Sequence, residues 1–277
     1  MEWSKLKNCI ILLLVCANIF LLLLTGGNAW RSASYNRQAA LEAVQALEGA
    51  GISFAPAQPP ENTALLPLAF QRDREGEEQA ARALLGEVER QDTGGGVRVI
   101  YTGAAGSLQF AMDGTFQLEL EEGTVTAAGE ARRQESQRVL EQLGFEGKLL
   151  ETEEQGDTLT LTYRQSWQGT PVFSCTAALT WRGESLVSVQ GRRLAGQTTP
   201  QEGEACLDTA TVLVRFLSAV SRGGYVFSTV EAMTDGYRVS GGARPEALSP
   251  VWLVETDVDD YYIDALTGEV SITDPVG

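Results

Sequence analysis

Several groups of side chains are dense enough to do chemistry. Asp257, Asp259 and Asp260 crowd together, and carboxylates gathered on one loop are the raw material of a Ca²⁺ site. The stretch lacks the D-x-[DN]-x-[DN]-G spacing of such a loop, so it is read as a charged hairpin turn. Glu119, Glu121 and Glu122, and likewise Glu151, Glu153 and Glu154, offer the carboxylates that a glycosidase pairs about 5–10 Å apart. Nothing in their spacing brings two together, and both groups read as strand ends in water. Lys148 is the only lysine beyond residue 7, so a Ser–Lys nucleophile would depend on it alone. It has no serine nearby and reads as a solvated lysine in a Gly-flanked turn.

The chain has no histidine, which removes the commonest general base, metal ligand and pH switch. Of its four cysteines, Cys9 and Cys16 lie in an apolar run, leaving Cys175 and Cys206 for the rest. Those two have no neighbours at zinc-ligand spacing, and whether they join in a disulfide is left open. Gly94-Gly95-Gly96 lacks the Lys and Ser or Thr of a phosphate loop and reads as a turn. No catalytic residue, metal or cofactor is therefore expected. With Glu2, Lys5 and Lys7 of the first 30 residues set aside, the chain carries 36 acidic against 19 basic residues. A body so acidic repels phosphate backbones, and nucleic acid is not expected as a partner.

What must position the rest begins at the N-terminus. Cys9 to Leu24 reads CIILLLVCANIFLLLL, uncharged and with one strongly polar side chain, Asn18. Extended through Asn8 and Thr25-Gly26-Gly27, it reaches the roughly 20 residues a bilayer core requires. Lys5 and Lys7 precede it, placing the N-terminus in the cytoplasm and the body outside the cell membrane as a single-pass protein. A cleaved signal peptide ending near Gly27-Asn28-Ala29 is the competing reading. Asn18, with Thr25 seven residues on along the same face, suits a hydrogen bond to a neighbouring transmembrane helix. Bonding to its own backbone or to water remains the alternative.

Beyond the anchor, Ser34–Leu47 shows Ala39, Ala40, Ala43, Val44 and Leu47 at helical spacing. A proline-rich connector follows, Ile52 to Pro67, then a helix from about Glu75 to Arg90. Strands are expected over Val97–Tyr101, Ser107–Met112 and Thr115–Leu120, with Asp113-Gly114 as hairpin signal. The same order recurs: a helix over Glu130–Leu143, then strands over Thr158–Trp167, Val172–Trp181 and Ser185–Arg193. A third round has a helix over Glu204–Val220 and strands over Gly236–Ser240, Val251–Asp257 and Tyr261–Ala265. Tyr163-Arg164-Gln165-Ser166 and Tyr237-Arg238-Val239-Ser240 are expected to open strands in corresponding positions. Helix followed by meander is α+β logic, an antiparallel sheet with helices on one face. The division expected is residues 1–7 as cytoplasmic tail, 8–27 as transmembrane helix, 28–128 as one helix/sheet unit and 129–277 as C-terminal units.

Trp3-Ser4-Lys5-x-Lys7, leading into an apolar run with Asn18-Ile19-Phe20-Leu21, resembles the start of the YycI family. Pro250-Val251-Trp252-x-Val254 and Tyr261-Tyr262-Ile263-Asp264-Ala265-x-Thr267-Gly268-Glu269-Val270 resemble the closing hairpin of YycI, YycH and PepSY-type domains. Gln168-Gly169-Thr170-Pro171-Val172-Phe173 resembles the middle of a PepSY-like unit. The resemblance implies a non-catalytic regulator that joins a YycH-like partner and a WalK (YycG) sensor histidine kinase, through transmembrane and extracytoplasmic contacts, to control cell-wall metabolism. Asn18 and the anchor would then touch the kinase. PepSY-like units also inhibit or chaperone secreted proteases, so a tethered binder of a peptidase or cell-wall enzyme is the alternative. Trp167, Trp181 and Trp252 fall in expected strands, where burial is the default; one of them lining a peptide groove would serve the binding role.

Overall fold

The computed structural model describes residues 34–201, 205–240 and 247–272. These form an α+β molecule, mostly sheet, with four helices. Helix α1 (residues 34–49) is followed by β1 (Ser53–Phe54), β2 (Leu68–Arg72) and α2 (Arg74–Leu85). Strands β3 (Val88–Thr93), β4 (Arg98–Gly103), β5 (Gly106–Ala111) and β6 (Thr115–Leu120) lead to α3 (Ala131–Gln142). Then come β7 (Gly147–Gln155), β8 (Thr158–Trp167), β9 (Thr170–Arg182), β10 (Ser185–Arg192) and β11 (Gly196–Pro200). Helix α4 (Thr209–Gly223) precedes β12 (Thr229–Ser240), β13 (Ala247–Thr256), β14 (Asp260–Asp264) and β15 (Val270–Ser271).

The strands pair into two sheets. The first runs β7-β8-β9-β10-β6-β5-β4-β3, antiparallel throughout. In the second, β11-β2-β13-β12 are antiparallel, β14 and β15 extend from β13, and β1 lies parallel to β12. Strand β9 spans both: most of it pairs with β8 and β10, while Val172 near its start sits opposite Tyr237 of β12. Pairing of β6 with β10 crosses residues 128 and 129, where the sequence suggested a boundary. By strand pairing the described chain groups into a unit of residues 74–192, holding the first sheet, and a unit of 34–72 with the described residues of 196–272, holding the second.

Each sheet is backed by two helices because only one stripe of each helix is apolar. Ala80, Ala81 and Leu85 of α2 and Val139 and Leu140 of α3 pack on Leu108, Phe110, Leu118, Leu161, Leu179 and Trp181 of the first sheet. Ala43, Val44 and Leu47 of α1 and Val212, Leu213 and Phe216 of α4 pack on Trp252, Val254, Tyr261 and Ile263 of the second. Val251 and Leu253 point to the other face of β13, where they meet Phe173 and Tyr262. Burial on both faces explains the unbroken apolar run Pro250-Val251-Trp252-Leu253-Val254.

Some sequence expectations need correction. Helix α2 ends at Leu85, not near Arg90, because Gly86 turns the chain while its N–H bonds the Arg82 carbonyl; residues 88–93 continue as β3. Lys148 is in strand β7 opposite Arg164, not in a turn. Tyr163 lies in the middle of β8 and Tyr237 toward the end of β12, so neither opens a strand. No disulfide joins Cys175 and Cys206. The expected transmembrane segment, with Lys5, Lys7, Asn18 and Thr25, lies outside the described residues; among those described, no helix is long and apolar enough to cross a membrane.

Candidate functional site

A cavity of about 220 Å³ opens where the two units meet. Its walls come from the end of β2 (Phe70, Arg72), the first turns of α2 (Arg74, Glu77), the β3–β4 turn (Gly95), the end of β5 (Phe110, Ala111, Met112) and the β10–β11 link (Arg193, Ala195). Backbone bonds lock this seam: Asp73 N–H to the Ala195 carbonyl at 3.1 Å and Arg193 N–H to the Gly114 carbonyl at 2.9 Å.

Glu77 is the anchor of the charge in it. The residue follows the helix's apolar stripe, in line with Ala80, Ala81 and Leu85, and so is only 5% exposed. Arg72 answers it with a two-pronged bridge, Nε to Oε1 at 2.5 Å and Nη2 to Oε2 at 2.8 Å. The third prong of Arg72, Nη1, donates to the Gly96 carbonyl at 3.2 Å. Arg193 is 6% exposed, lies over the Phe110 ring at 4.4 Å, donates to the Leu143 carbonyl, and approaches Glu77 Oε1 at 4.0 Å. Burial pulls its guanidinium down to about 10, with the Glu77 charge opposing the shift, so it stays protonated at neutral pH.

The triple glycine seats these arginines. Gly96 has φ of +92°, a conformation that favours glycine, and a Cβ there would meet Arg74 Nη2 at 2.7 Å, so the Arg74 guanidinium lies directly against the loop backbone and would shift for any larger residue. Its N–H donates to Asp92 Oδ1 at 2.6 Å, which holds the turn. The sequence reads this segment as a turn and does not single out Arg72, Arg74, Glu77 or Arg193; the signal it holds is an acid inside the apolar stripe of α2.

The tryptophans separate. Trp181 and Trp252 are core residues, 0% and 2% exposed, in different sheets. The Trp181 Nε1–H donates to Ser136 Oγ at 3.0 Å, tying α3 to β9. Among the described tryptophans, only Trp167 is half-exposed. It ends β8 beside Gln168, whose φ is +50°, packs edge-on to Phe70 at 6.5 Å, and lines a second cavity of about 330 Å³ with Glu141, Glu146, Gln165, Ser166 and Gln168. Its buried Nε1–H has no acceptor among the described residues.

The acidic groups stay apart from both cavities. Asp257 accepts from Ser228 N–H at 2.9 Å, Ser228 Oγ–H at 2.5 Å and Thr229 N–H at 3.0 Å, bracing the strand that follows α4. Glu151, Glu153 and Glu154 lie exposed on edge strand β7, and Glu119 on β6 accepts from Gln117 at 2.9 Å. Among the described residues, no three acidic or cysteine side chains converge as metal ligands would. Cys206 gives its thiol to the Leu65 carbonyl at 3.3 Å, and burial, with the charges of Asp264 and Asp235, pushes that thiol up, away from the reactive thiolate.

No family model matches the chain, and no curated protein matches it. Solved structures are similar in part. An uncharacterized protein from Eubacterium rectale ATCC 33656 is 10% identical with a TM-score of 0.48, over 77% of this chain and 86% of that one. The C-terminal domain of Bacillus megaterium YpeB is 12% identical with a TM-score of 0.37, over 73% and 98%. YycH from Bacillus subtilis is 12% identical with a TM-score of 0.38, over 80% and 56%. These likenesses assign neither family nor function.

Proposed function

We propose that this chain is a non-catalytic regulator of a WalK/YycG-type sensor histidine kinase, held in the cell membrane by residues 8–27 with its body outside. It acts with a YycH-like partner, through transmembrane contacts at Asn18 and Thr25 and through its extracytoplasmic units, on cell-wall metabolism. The observation that carries this reading is the order of elements. An apolar run with YycI-like residues stands at the N-terminus, and the YycI-like closing motif Tyr261–Val270 folds at the far end as β14, its turn and the start of β15, on a helix-backed antiparallel sheet.

A second reading is a tethered, PepSY-like binder of a secreted peptidase or cell-wall enzyme. Trp167 favours it, since a half-exposed indole whose ring lines a cavity offers a flat apolar surface to a peptide side chain.

Co-purification from detergent tests the first reading, with the cognate kinase as bait for the full chain, Asn18→Leu and a body-only chain from residue 34. Capture should fall from full chain to Asn18→Leu to body-only. Equal capture of all three would remove the transmembrane contact; capture of a peptidase lost on Trp167→Ala would favour the second reading.

A further inference from the structure

The cavity at the seam is cationic in a molecule of net charge −16. Three arginines face one glutamate across its walls. Glu77 is committed to Arg72 through both oxygens and comes no nearer to Arg193 than 4.0 Å. Asp73, whose charge also reaches Arg193, is engaged with the Gly76 N–H as the cap of α2. Arg74 makes no ion pair among the described residues. Within this cavity three guanidinium groups thus face a single carboxylate already bridged to Arg72, while Glu75 and Glu78 line a neighbouring depression on the other side of Arg74.

The rest of the wall is apolar: Phe70, Phe110, Ala111, Met112 and Ala195. Volume sets the scale of an occupant, because about 220 Å³ falls below the roughly 300–1,000 Å³ typical of drug-sized sites. A guanidinium fork matches the two oxygens of a carboxylate, and the apolar side needs a ligand with a hydrocarbon face. Phosphate fits less well, being charged on every side, so that part of it would be desolvated against aromatic carbon without a partner.

We propose that this cavity binds a small organic acid, its carboxylate held by Arg74 and Arg193 and its apolar body against Phe70, Phe110 and Met112. Because the walls belong to both units, an occupied cavity ties β2 and the β10–β11 link to α2 and β5, and binding raises the unfolding temperature. The assignment stands whether or not the chain meets a kinase.

Phenylacetate, titrated into the full-length chain in detergent and followed by calorimetry and thermal unfolding, is the test. Saturable binding and a raised Tm are expected, with phenylacetamide failing to bind. Loss of a charge-assisted contact should weaken phenylacetate about tenfold in Arg74→Gln, an exposed site whose change leaves the fold intact. Arg182→Gln, exposed on the far end of β9, should bind as the parent does. Absence of saturable binding, equal affinity in Arg74→Gln and the parent, equal binding of phenylacetamide, or tighter binding of inorganic phosphate would each overturn the proposal.

Discussion

Glu77 shows how one misplaced residue type can organise a site. In the stripe it shares with Ala80, Ala81 and Leu85, an apolar side chain would have packed without a partner, but the carboxylate requires Arg72 and draws Arg193 toward it. Removing one member of a buried ion pair leaves the others uncompensated, at a cost of about 3–5 kcal/mol. Glu77→Ala should lose stability in that range by urea denaturation, and a loss below about 1 kcal/mol would mean that water already reaches the pair. Asp257 behaves differently, being an exposed carboxylate held below its ordinary 3.8 chiefly by the Ser228 hydroxyl, then by the N–H groups of Thr229 and Ser228. With the folded value depressed, the unfolded chain binds more protons in that window, so the contribution is present above about pH 3.8 and lost as pH falls through the folded value. Asp257→Asn should therefore lower Tm at pH 7, with the gap to the parent narrowing on acidification below that point. A gap independent of pH would remove the carboxylate from the account.

Among the elements, those with a local signature were legible. Strands β8, β9 and β10 alternate apolar and polar residues and are punctuated by Gln168-Gly169 and Arg182-Gly183, so their bounds follow closely from the sequence. Strand β3, VERQDT, carries the helix formers Glu89, Arg90 and Gln91, and the expected helix to Arg90 overlaps its first half; only pairing with β4 makes it a strand. Strand β7 is exposed along nearly all its length and shows no alternation. Strands β2 and β11 are short and find each other across more than a hundred residues, which no local pattern reports. The cavity was illegible for the same reason, since its walls meet only through those pairings. In β12, Gly236 fits because the Phe173 ring lies on it: a Cβ there would stand 2.5 Å from that ring and 2.7 Å from the Pro171 carbonyl. Gly236→Val should destabilise by about 1–3 kcal/mol through this overpacking, with hydrogen exchange accelerating first where β12 meets β9. Unchanged protection there would show that β9 can move aside.

For the whole molecule, the way the chain is nested matters more than the number of its units. The first unit is one uninterrupted stretch, whereas the second is assembled from both ends of the described chain, and Asp73 and Ala195 stand side by side where one enters the other. Helix α1, the first described element, packs on the C-terminal strands rather than on the sheet that follows it in sequence. Time is where this arrangement has its effect. As a ribosome or export channel delivers the chain from its N-terminus, residues 74–192 can complete their sheet as soon as they emerge, while α1, β1 and β2 wait for β12 and β13. A chain stopped after residue 200 should resist protease across 74–192 yet be cut between residues 34 and 66. The full chain should lose that vulnerable interval only when its last strands arrive, so the N-terminal stretch is the first to be made and among the last to be safe.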